Sequence, residues 1–316
     1  MTLTVVILTK NEGRHIERAL ESVAQVASNC YVVDSGSTDG TVEIAQSKGA
    51  IVLHNPWVNY ASQFNWALAQ LPKDTDWVFR LDADEVITLE LEEEIRGKLP
   101  VVPPHICGIF VSRRIHFLGC PIRWGGVFPV QVLRIFRHGY AHCENRWMDE
   151  HIVSQGGSIK ISGEIIDDNH NSLTWWTDKH NSYASREVVD ILNQEYNFTP
   201  IETIASLRGG QQASIKRWIK EKVYSRLPCG FRALMYFLYR YIFRLGFLDG
   251  RAGTDFHFLQ GFWYRYLVDA KLREVKVHMK SSGVDVTDAI SAVLGIEVSS
   301  AQSKKATQLA SEPHAR

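Results

Sequence analysis

The sequence predicts an α/β fold: a mostly parallel, Rossmann-like sheet flanked by helices, with a helical, basic, aromatic C-terminal extension. Over the first eighty residues, short β-branched apolar runs alternate with helical patterns. This alternation is typical of βαβ units with right-handed crossovers. Residues from about 172 to 280 are instead rich in aromatic and basic side chains, and we interpret them as helical.

The predicted elements follow one another in order. Residues 4–8 (TVVIL) form a continuous apolar run, as expected for a strand buried on both faces. Ile16, Ala19, Leu20 and Val23 then repeat at helical spacing and predict the first helix. The remaining predicted elements are strands over 30–33, 51–53 and 77–81, and helices over about 41–47 and 62–71.

Three polar clusters follow predicted strands, at residues 9–12 (TKNE), 34–39 (DSGSTD) and 82–85 (DADE). In open α/β sheets, ligands bind beyond the carboxyl ends of the strands. We therefore expect the three clusters, although distant in sequence, to converge on one site.

The Asp82-Ala83-Asp84 triplet is the most informative of these clusters. Two carboxylates two residues apart, where an apolar strand stops, supply oxygen ligands for a hard divalent cation. The sequence contains neither a Gly-x-Gly-x-x-Gly after the first strand nor a P-loop. A bound metal is therefore the expected partner of phosphate charge.

Residues 5–12 (VVILTKNE), 32–41 (VVDSGSTDGT) and 80–85 (RLDADE) resemble successive motifs of glycosyltransferase family 2, which has the GT-A fold. The resemblance covers roughly residues 1–150 well and is looser to about 275. Bacterial enzymes of lipopolysaccharide core, capsule and exopolysaccharide synthesis are the most similar. The resemblance implies transfer of a sugar from a nucleotide-diphosphate donor, expected to be a UDP-sugar, to a hydroxyl with inversion. It also implies Mg²⁺ or Mn²⁺ as cofactor.

The resemblance further implies a set of site residues. Asp82 and Asp84 would hold the metal on the donor diphosphate, and Asp82 would also contact substrate. The other predicted substrate-binding residues are Thr9, Asn11, Glu12, Asp34, Ser35, Ser37, Asp39, Gln63 and Asn65. Ser35 departs from the family pattern, because many relatives have a second aspartate there that contacts the base. The identity of the nucleotide therefore stays open.

The predicted general base lies in residues 147–151 (WMDEH). The acceptor hydroxyl must lose its proton as it attacks, so a carboxylate is needed away from the metal pair. A Gln-x-x-Arg-x-Phe stretch precedes this segment, as it precedes a His-Glu or similar pair in relatives. Glu150 matches that glutamate and is the predicted base, with Asp149 as the alternative.

Structural interpretations stay open beside these functional ones. Asp82 and Asp84 could begin a helix, although Thr88 offers another cap for the helix predicted over 89–99. Asp34 and Asp39 could be turn residues. Gln63 and Asn65 could be exposed helix polars, and Asp149 with Glu150 a solvated pair. Arg113, Arg114 and Arg134 are each expected at the surface.

Composition limits the classes of function. Lys plus Arg equals Asp plus Glu at 35 each, so the global charge gives no case for nucleic-acid binding. The five cysteines are scattered, without a Cys-x-x-Cys, which favours a reducing compartment. The first residues predict a strand rather than a signal peptide, and the tail from about 299 is expected to be disordered.

Residues 231–247 (FRALMYFLYRYIFRLGF) raise the question of membrane contact. Arg232, Arg240 and Arg244 argue against a span, because each is costly at the bilayer centre. On a helix they fall on one side and leave a wide apolar face. Such a helix could lie in the interface of an anionic membrane or pack on the catalytic domain. A glycolipid acceptor favours the membrane.

The sequence thus predicts three regions: a GT-A catalytic domain over 1–160, a helical acceptor- or membrane-proximal region over 161–280, and a C-terminal segment over 281–316. The predicted function is inverting, metal-dependent glycosyl transfer onto a lipopolysaccharide, capsule or lipid-linked oligosaccharide acceptor. The predicted location is the cytoplasm, at the inner face of the cytoplasmic membrane. The alternatives are a non-catalytic membrane-associated partner subunit and a metal-dependent nucleotidyltransferase, which would need a glycine-rich triphosphate loop.

Overall fold

A computed structural model describes residues 1–144, 151–199 and 230–298 of the chain. Within these ranges the chain divides into two units. The N-terminal unit contains residues 1–144, 151–172 and 238–257. The helical unit contains residues 173–199, 230–237 and 258–298.

The described part of the N-terminal unit is built on a sheet of nine strands. In chain order they are β1 Leu3–Thr9, β2 Asn29–Asp34, β3 Ile51–His54, β4 Trp77–Arg80, β5 Glu85–Ile87, β6 Ile106–Phe117, β7 Cys120–Ile122, β8 Val130–Arg137 and β11 Gly157–Asp168. A separate antiparallel pair consists of β9 Ala141–Cys143 and β10 Ile152–Ser154. The helices between these strands are α1 Ile16–Val23, α2 Thr41–Ser47, α3 Tyr60–Gln70 and α4 Leu89–Lys98.

The strand order is β3-β2-β1-β4-β8-β6-β11-β5, with β7 paired to β6. The first four strands are parallel, β8 runs antiparallel to both of its neighbours, and β11 is parallel to β6. This sheet confirms the predicted GT-A class. The N-terminal unit extends past the predicted boundary at 160: β11 ends at Asp168, eight residues beyond it, and this segment of the unit ends at Ser172.

The core explains why β1, before its end, carries only one polar side chain, the buried Thr4. Val5 and Ile7 pack in one buried cluster with α1 and α4, whereas Val6 packs in another with α3. A strand covered on both faces needs apolar side chains at odd and even positions alike. The first polar side chain that can reach a ligand is therefore at its carboxyl end.

After Leu238 the chain returns to the N-terminal unit. This returning segment contains a π-helical turn, Tyr239–Phe243, a 3₁₀ turn, Gly246–Asp249, and helix α7, Gly250–Phe256. Phe256 packs against Phe117 at the end of β6, with ring centroids 5.4 Å apart. The segment therefore belongs to the sheet unit, although it follows much of the helical unit in sequence.

The helical unit contains α5 Leu173–Tyr196, α6 Phe231–Leu238, α8 Tyr264–Ser282 and α9 Val286–Leu294, with a π-helical segment, His257–Trp263, before α8. Its apolar core includes Val188, Leu192, Val268 and Ile290. Glu187 accepts hydrogen bonds from Tyr264 and Arg265, both at 2.7 Å. The helical extension predicted from the sequence is thus present with a core of its own. No helix within the described ranges combines the length and apolarity needed to cross a membrane.

Candidate active site

The ends of β1 and β2 lie side by side, with Thr9 paired in register with Asp34. Thr9 Oγ1 donates to Asp34 Oδ1 at 3.2 Å. The other carboxylate oxygen accepts the backbone N–H groups of Gly36 and Ser37, at 2.8 and 2.9 Å. Burial acts to raise the pKa of Asp34, but the hydrogen bonds from its loop outweigh it and lower the pKa. Asp34 therefore organises the loop as a buried carboxylate.

A cavity of about 380 Å³ opens beside this loop. It is lined by Asp34, Gly36, Ser37, Thr38, Gly40, Val42, Glu43 and His54. Four residues of the predicted polar cluster 34–39 thus line open space at the mouth of the sheet, together with His54 at the end of β3.

The loops after β1 and β2 are bonded to each other. The backbone N–H of Asn11 donates to Ser37 Oγ at 2.8 Å, and the Asn11 side chain accepts from the Thr38 N–H at 2.8 Å. Asn11 has a left-handed backbone, with φ of 57°, which asparagine tolerates better than most residues. Asp39 Oδ2 accepts the Gly13 N–H at 2.9 Å. Two predicted clusters therefore form one cross-linked surface.

Gln63 and Asn65 have different surroundings, although both lie on α3. Gln63 is fully buried, donates to Ser35 Oγ at 3.0 Å, and accepts from Asn55 Nδ2 at 2.7 Å. Because the Ser35 oxygen accepts this hydrogen bond, the hydroxyl proton of Ser35 points away from Gln63. Asn65 instead exchanges two hydrogen bonds, each 2.8 Å, with the backbone of Cys143 in β9. Gln63 thus supports a predicted substrate residue, whereas Asn65 anchors a strand.

Asp82 lies in a network of buried charge. Tyr60 donates to its Oδ1 at 2.8 Å, and Arg134 donates to its Oδ2 at 2.9 Å. Arg134 also donates to Glu85 Oε1 at 2.5 Å. Burial acts to raise the pKa of Asp82, but Arg134 and Arg80 outweigh it and hold the pKa well below its usual range. Burial raises the pKa of Glu85 to about 8 despite the adjacent Arg134.

The surface position expected for Arg134 is wrong, because Arg134 is only 3% exposed. A signal was present in the sequence: this arginine stands between Leu133 and Ile135 in the largely apolar run 130–136 (VQVLRIF), where a charge needs a partner. Arg113 and Arg114 are half-buried, and lie 3.8 Å from Asp167 and 3.1 Å from Glu164.

Asp84 lies at the same edge, and one of its oxygens is engaged. Asn169, which follows β11, donates to Asp84 Oδ2 at 2.9 Å. Within the described ranges, no hydrogen bond is made to the other oxygen, Oδ1. Asp84 therefore fits the role of a metal ligand. Asp82 fits that role less well, since Tyr60 and Arg134 take both of its oxygens. The described residues include no group of three or more His, Cys, Asp or Glu side chains arranged to hold a metal.

A buried chain of hydrogen bonds, from Glu12 through the His15 ring to the backbone of His170, supports the turn after β11. The sequence did not predict it. His15 is fully buried, and its Nδ1 lies 2.7 Å from Glu12 Oε2. Its Nε2 accepts the backbone N–H of His170 at 2.9 Å, so the ring proton is on Nδ1 and is donated to Glu12. The 155 residues between the two histidines leave no local signal for this contact. Glu12 thus contacts the protein interior and fixes the residues beside Asp84.

Glu150 and Asp149 lie outside the described residues, so their role stays a prediction. The described residues on either side are paired: the Glu144 N–H donates to the His151 carbonyl at 3.0 Å, and the His151 N–H donates to Glu144 Oε1 at 3.1 Å. This pair extends the β9–β10 ladder.

Comparison with known proteins gives a family for the N-terminal part. Residues 4–109 match the family model "Glycosyl transferase family 2". An uncharacterized glycosyltransferase from Rickettsia bellii is 45% identical over 93 residues, which are 29% of this chain and 31% of that protein. The lipopolysaccharide core biosynthesis glycosyltransferase LpsC from Rhizobium meliloti is 32% identical over 162 residues, 49% of this chain and 58% of that protein. The matches thus span from about a third to somewhat over half of these relatives.

Solved structures with similar folds have low identity. Mannosyl-3-phosphoglycerate synthase from Rubrobacter xylanophilus is 14% identical with a TM-score of 0.41, covering 66% of this chain and 79% of that chain. Glucosyl-3-phosphoglycerate synthase from Mycobacterium tuberculosis, in complex with Mn²⁺ and UDP-glucose, is 23% identical with a TM-score of 0.31, covering 36% and 44%. These scores are too low to carry residue roles across. The family match and the sheet are consistent, however: residues 4–109, in the N-terminal part of this chain, are similar to glycosyltransferase family 2.

Proposed function

We propose that this protein is an inverting, metal-dependent glycosyltransferase that moves a sugar from a nucleotide-diphosphate donor to a hydroxyl of a surface-polysaccharide or glycolipid acceptor. The observation that carries the proposal is the meeting of three polar groups at one edge of the sheet: Thr9 with the Asp34 loop, Asp82, and Asp84. Parallel strands gather such groups at their carboxyl ends, where α/β proteins bind nucleotides.

The nucleoside would bind at the cross-linked loops after β1 and β2. Thr9 and Asp34 hydrogen-bond mainly to each other, so the groups that can contact a ligand lie at the edge of the cavity beside this loop. Ser35 presents a hydroxyl proton there, because Gln63 already donates to its oxygen. We expect a UDP-sugar as donor.

Asp84 is the better candidate for the metal, and Asp82 for the donor itself. A divalent cation held by Asp84 would neutralise the negative charge that develops on the leaving diphosphate. Asn169 fixes the orientation of the Asp84 carboxylate, as groups behind a metal ligand commonly do. Asp82 stays ionised between Arg134 and Tyr60, and its side chain is partly exposed, so the second lone pair of each oxygen can accept a hydrogen bond from a sugar hydroxyl.

The reaction needs one base and one displacement. The acceptor oxygen forms a bond to the anomeric carbon while the bond from that carbon to the diphosphate oxygen breaks. The acceptor proton passes to Glu150, or to Asp149 as the alternative. Attack from the face opposite the leaving group inverts the anomeric centre. Such a positioned base contributes about 10²–10⁴ in rate.

The names of two relatives support the class of acceptor. One acts in lipopolysaccharide core biosynthesis, and another, from the same organism, is the succinoglycan biosynthesis protein ExoA, 34% identical over 88 residues. We propose a lipopolysaccharide-core, capsule or lipid-linked oligosaccharide acceptor, used at the inner face of the cytoplasmic membrane.

Donor hydrolysis tests the proposal. The full-length protein is incubated with a panel of nucleotide sugars and Mg²⁺ or Mn²⁺, and released nucleotide is measured. We expect metal-dependent release from one donor, reduced at least about 100-fold in Asp84→Asn, because a catalytic metal supplies several kcal/mol of charge stabilisation. Asp74→Asn is the matched control, since Asp74 is exposed before β4, at the opposite end of that strand.

Two further outcomes separate the alternatives. If nucleotide diphosphate with Mn²⁺ binds in calorimetry but no donor turns over, even with acceptor extracts, the chain is a non-catalytic partner. If nucleotide monophosphate and pyrophosphate are formed from a nucleoside triphosphate, it is a nucleotidyltransferase. Unchanged donor hydrolysis in Asp84→Asn would contradict the metal assignment. Comparing Glu150→Gln with Asp149→Asn in acceptor-dependent transfer identifies the base.

A further inference from the structure

The returning segment of the N-terminal unit has an inverted distribution of polar and apolar side chains. Three of its ionisable side chains, Arg240, Asp249 and His257, are each 3% exposed or less. Its large apolar side chains face outward, with Phe243 73% exposed. The others that are at least 40% exposed are Tyr239, Ile242, Leu245, Phe247 and Leu248. We call residues 239–248 the apolar turn.

Specific contacts hold the apolar turn in this orientation. The Asp249 carboxylate accepts the backbone N–H groups of Arg123 and Trp124, at 3.0 and 2.9 Å. The Arg244 carbonyl accepts the Gly125 N–H at 2.9 Å. A side chain at Gly125 would lie within 3 Å of the His257 ring, so the Gly125 backbone packs closely against that ring. The exposure of the apolar side chains is therefore a property of a fixed structure.

The backbone at the centre of the apolar turn is unusual. Leu245 has a left-handed conformation, with φ of 59°, and its side chain is 40% exposed. Leucine rarely adopts this conformation, and such strain is found where the surrounding structure imposes it, often at functional positions. Here the strain places apolar side chains in water on both sides of the bend.

The charges around the apolar turn identify its partner. Arg244 and Arg251 are exposed, whereas the side chain of Asp249 is buried, and Asp255 at the far end of α7 is the one exposed acidic residue of the returning segment. Apolar and aromatic side chains beside exposed arginines match the interface of an anionic bilayer, where rings sit at headgroup depth.

We propose that the apolar turn inserts into the headgroup region of an anionic membrane and docks the N-terminal unit there. This mode of membrane binding differs from the one predicted from the sequence, in which a helix over residues 231–247 lies in the interface. Arg232 pairs with Asp269 inside the helical unit, and Arg240 is buried, so only Arg244 of the three predicted arginines is available to lipid. The proposal concerns a surface distinct from Asp84, so its failure would leave glycosyl transfer standing.

Vesicle binding tests the proposal without any turnover. Full-length protein is sedimented at low salt with vesicles of phosphatidylethanolamine and phosphatidylglycerol, and separately with phosphatidylcholine. We expect binding to the anionic vesicles. Phe243→Ser and Leu248→Ser should each weaken it about tenfold, because each removes a large apolar side chain that would be buried in the membrane. Leu89→Ser is the matched control: Leu89 is 75% exposed on α4. Arg244→Gln should weaken binding to the anionic vesicles alone.

Three results would overturn the proposal. In the first, the wild-type protein binds neither kind of vesicle. In the second, Phe243→Ser and Leu248→Ser bind the vesicles with the same affinity as the wild type. Alternatively, the lipid-free protein could self-associate in gel filtration and lose that association in Phe243→Ser, in which case a second copy covers the apolar turn. Circular dichroism of each variant confirms that the fold is kept.

Discussion

Arg134 links the two carboxylates at the end of β4. One guanidinium reaches Asp82 at 2.9 Å and Glu85 at 2.5 Å, with Arg80 as a second positive charge 3.7 Å from Asp82. A buried charge without a partner costs far more than the intact pair contributes. Arg134 is therefore the main group that keeps Asp82 ionised at the site, with Arg80 as the second.

We predict that Arg134→Gln lowers the free energy of unfolding by about 3–5 kcal/mol, because Asp82 loses its main neutralising charge and the buried Glu85 loses a hydrogen-bond donor. Chemical denaturation measures the change. Arg96→Gln on α4 removes only an exposed ion pair with Glu92, at 3.1 Å, and should change stability by less than about 1 kcal/mol. A loss in Arg134→Gln as small as the loss in this control would contradict the interpretation.

At the scale of elements, α4 packs on β11 through a glycine. A side chain at Gly163 would lie 2.3 Å from the Leu91 Cα atom. Glu94 on the same helix accepts the N–H groups of Ser162 and Gly163, both at 2.7 Å, where the β6–β11 register shifts. The helix thus satisfies the bulge in the strand, and only a residue without Cβ permits the approach.

Gly163→Ala should destabilise the protein by about 1–3 kcal/mol or more, since backbone must move to admit the methyl group. Gly97→Ala, within α4, is the matched control: no atom lies within 4 Å of its added Cβ, and alanine favours helix by about 0.5–1 kcal/mol. Thermal unfolding of both variants should shift in opposite directions. Equal shifts would show that the helix–strand contact is not limiting.

His180 gives α5 a dependence on pH. It stacks on Trp176 at 3.5 Å between ring centroids, and burial lowers its pKa from 6.5 to about 4. Because the folded state disfavours the proton, its contribution is complete above about pH 6.5. That contribution is lost as pH falls toward 4, where the unfolded chain binds the proton first.

We expect the wild-type unfolding free energy to fall by about 2 kcal/mol over this pH range through His180, after allowance for solvent screening. His180→Gln cannot take up that proton, so its profile should be flatter between pH 6.5 and 4. Urea denaturation at several pH values measures both slopes. Parallel profiles would assign the acid sensitivity to other groups, such as His257, whose pKa burial also lowers to about 4.

At the scale of the molecule, the N-terminal unit is discontinuous in sequence. Residues 238–257 return to it after α5 and α6, and supply Asp249 and Phe256 to the end of β6 and the loop beyond β7. The unit therefore cannot be completed by the first 172 residues alone.

A chain of residues 1–172 should melt at least about 10 °C below a chain in which 1–172 is joined to 238–257 by a flexible glycine–serine linker. The difference follows from restoring two charge-assisted hydrogen bonds and the Phe117–Phe256 contact. Circular dichroism measures both midpoints. Identical midpoints would mean that the returning segment contributes nothing to the stability of the sheet unit.

The sequence predicted the parallel strands and their terminal polar clusters well, because both signals are local. β-branched runs identify strands buried on both faces, and Thr9, Asp34 and Asp82 directly follow such runs. The prediction was less complete for Arg134, His15 and Asn65. Each has partners dozens of residues away, and a side chain gives no local indication of a distant partner.

The sequence by itself determined the fold class, the carboxylates available to the site and the apolar content of residues 231–247, because propensity, periodicity and composition are properties of short segments. Only the tertiary structure decided that Asp82 is held by Arg134, that Asn169 orients Asp84, and that Arg240 turns inward while Phe243 turns outward. These choices depend on which distant groups can neutralise a buried charge or satisfy a backbone N–H, and folding alone brings those groups together.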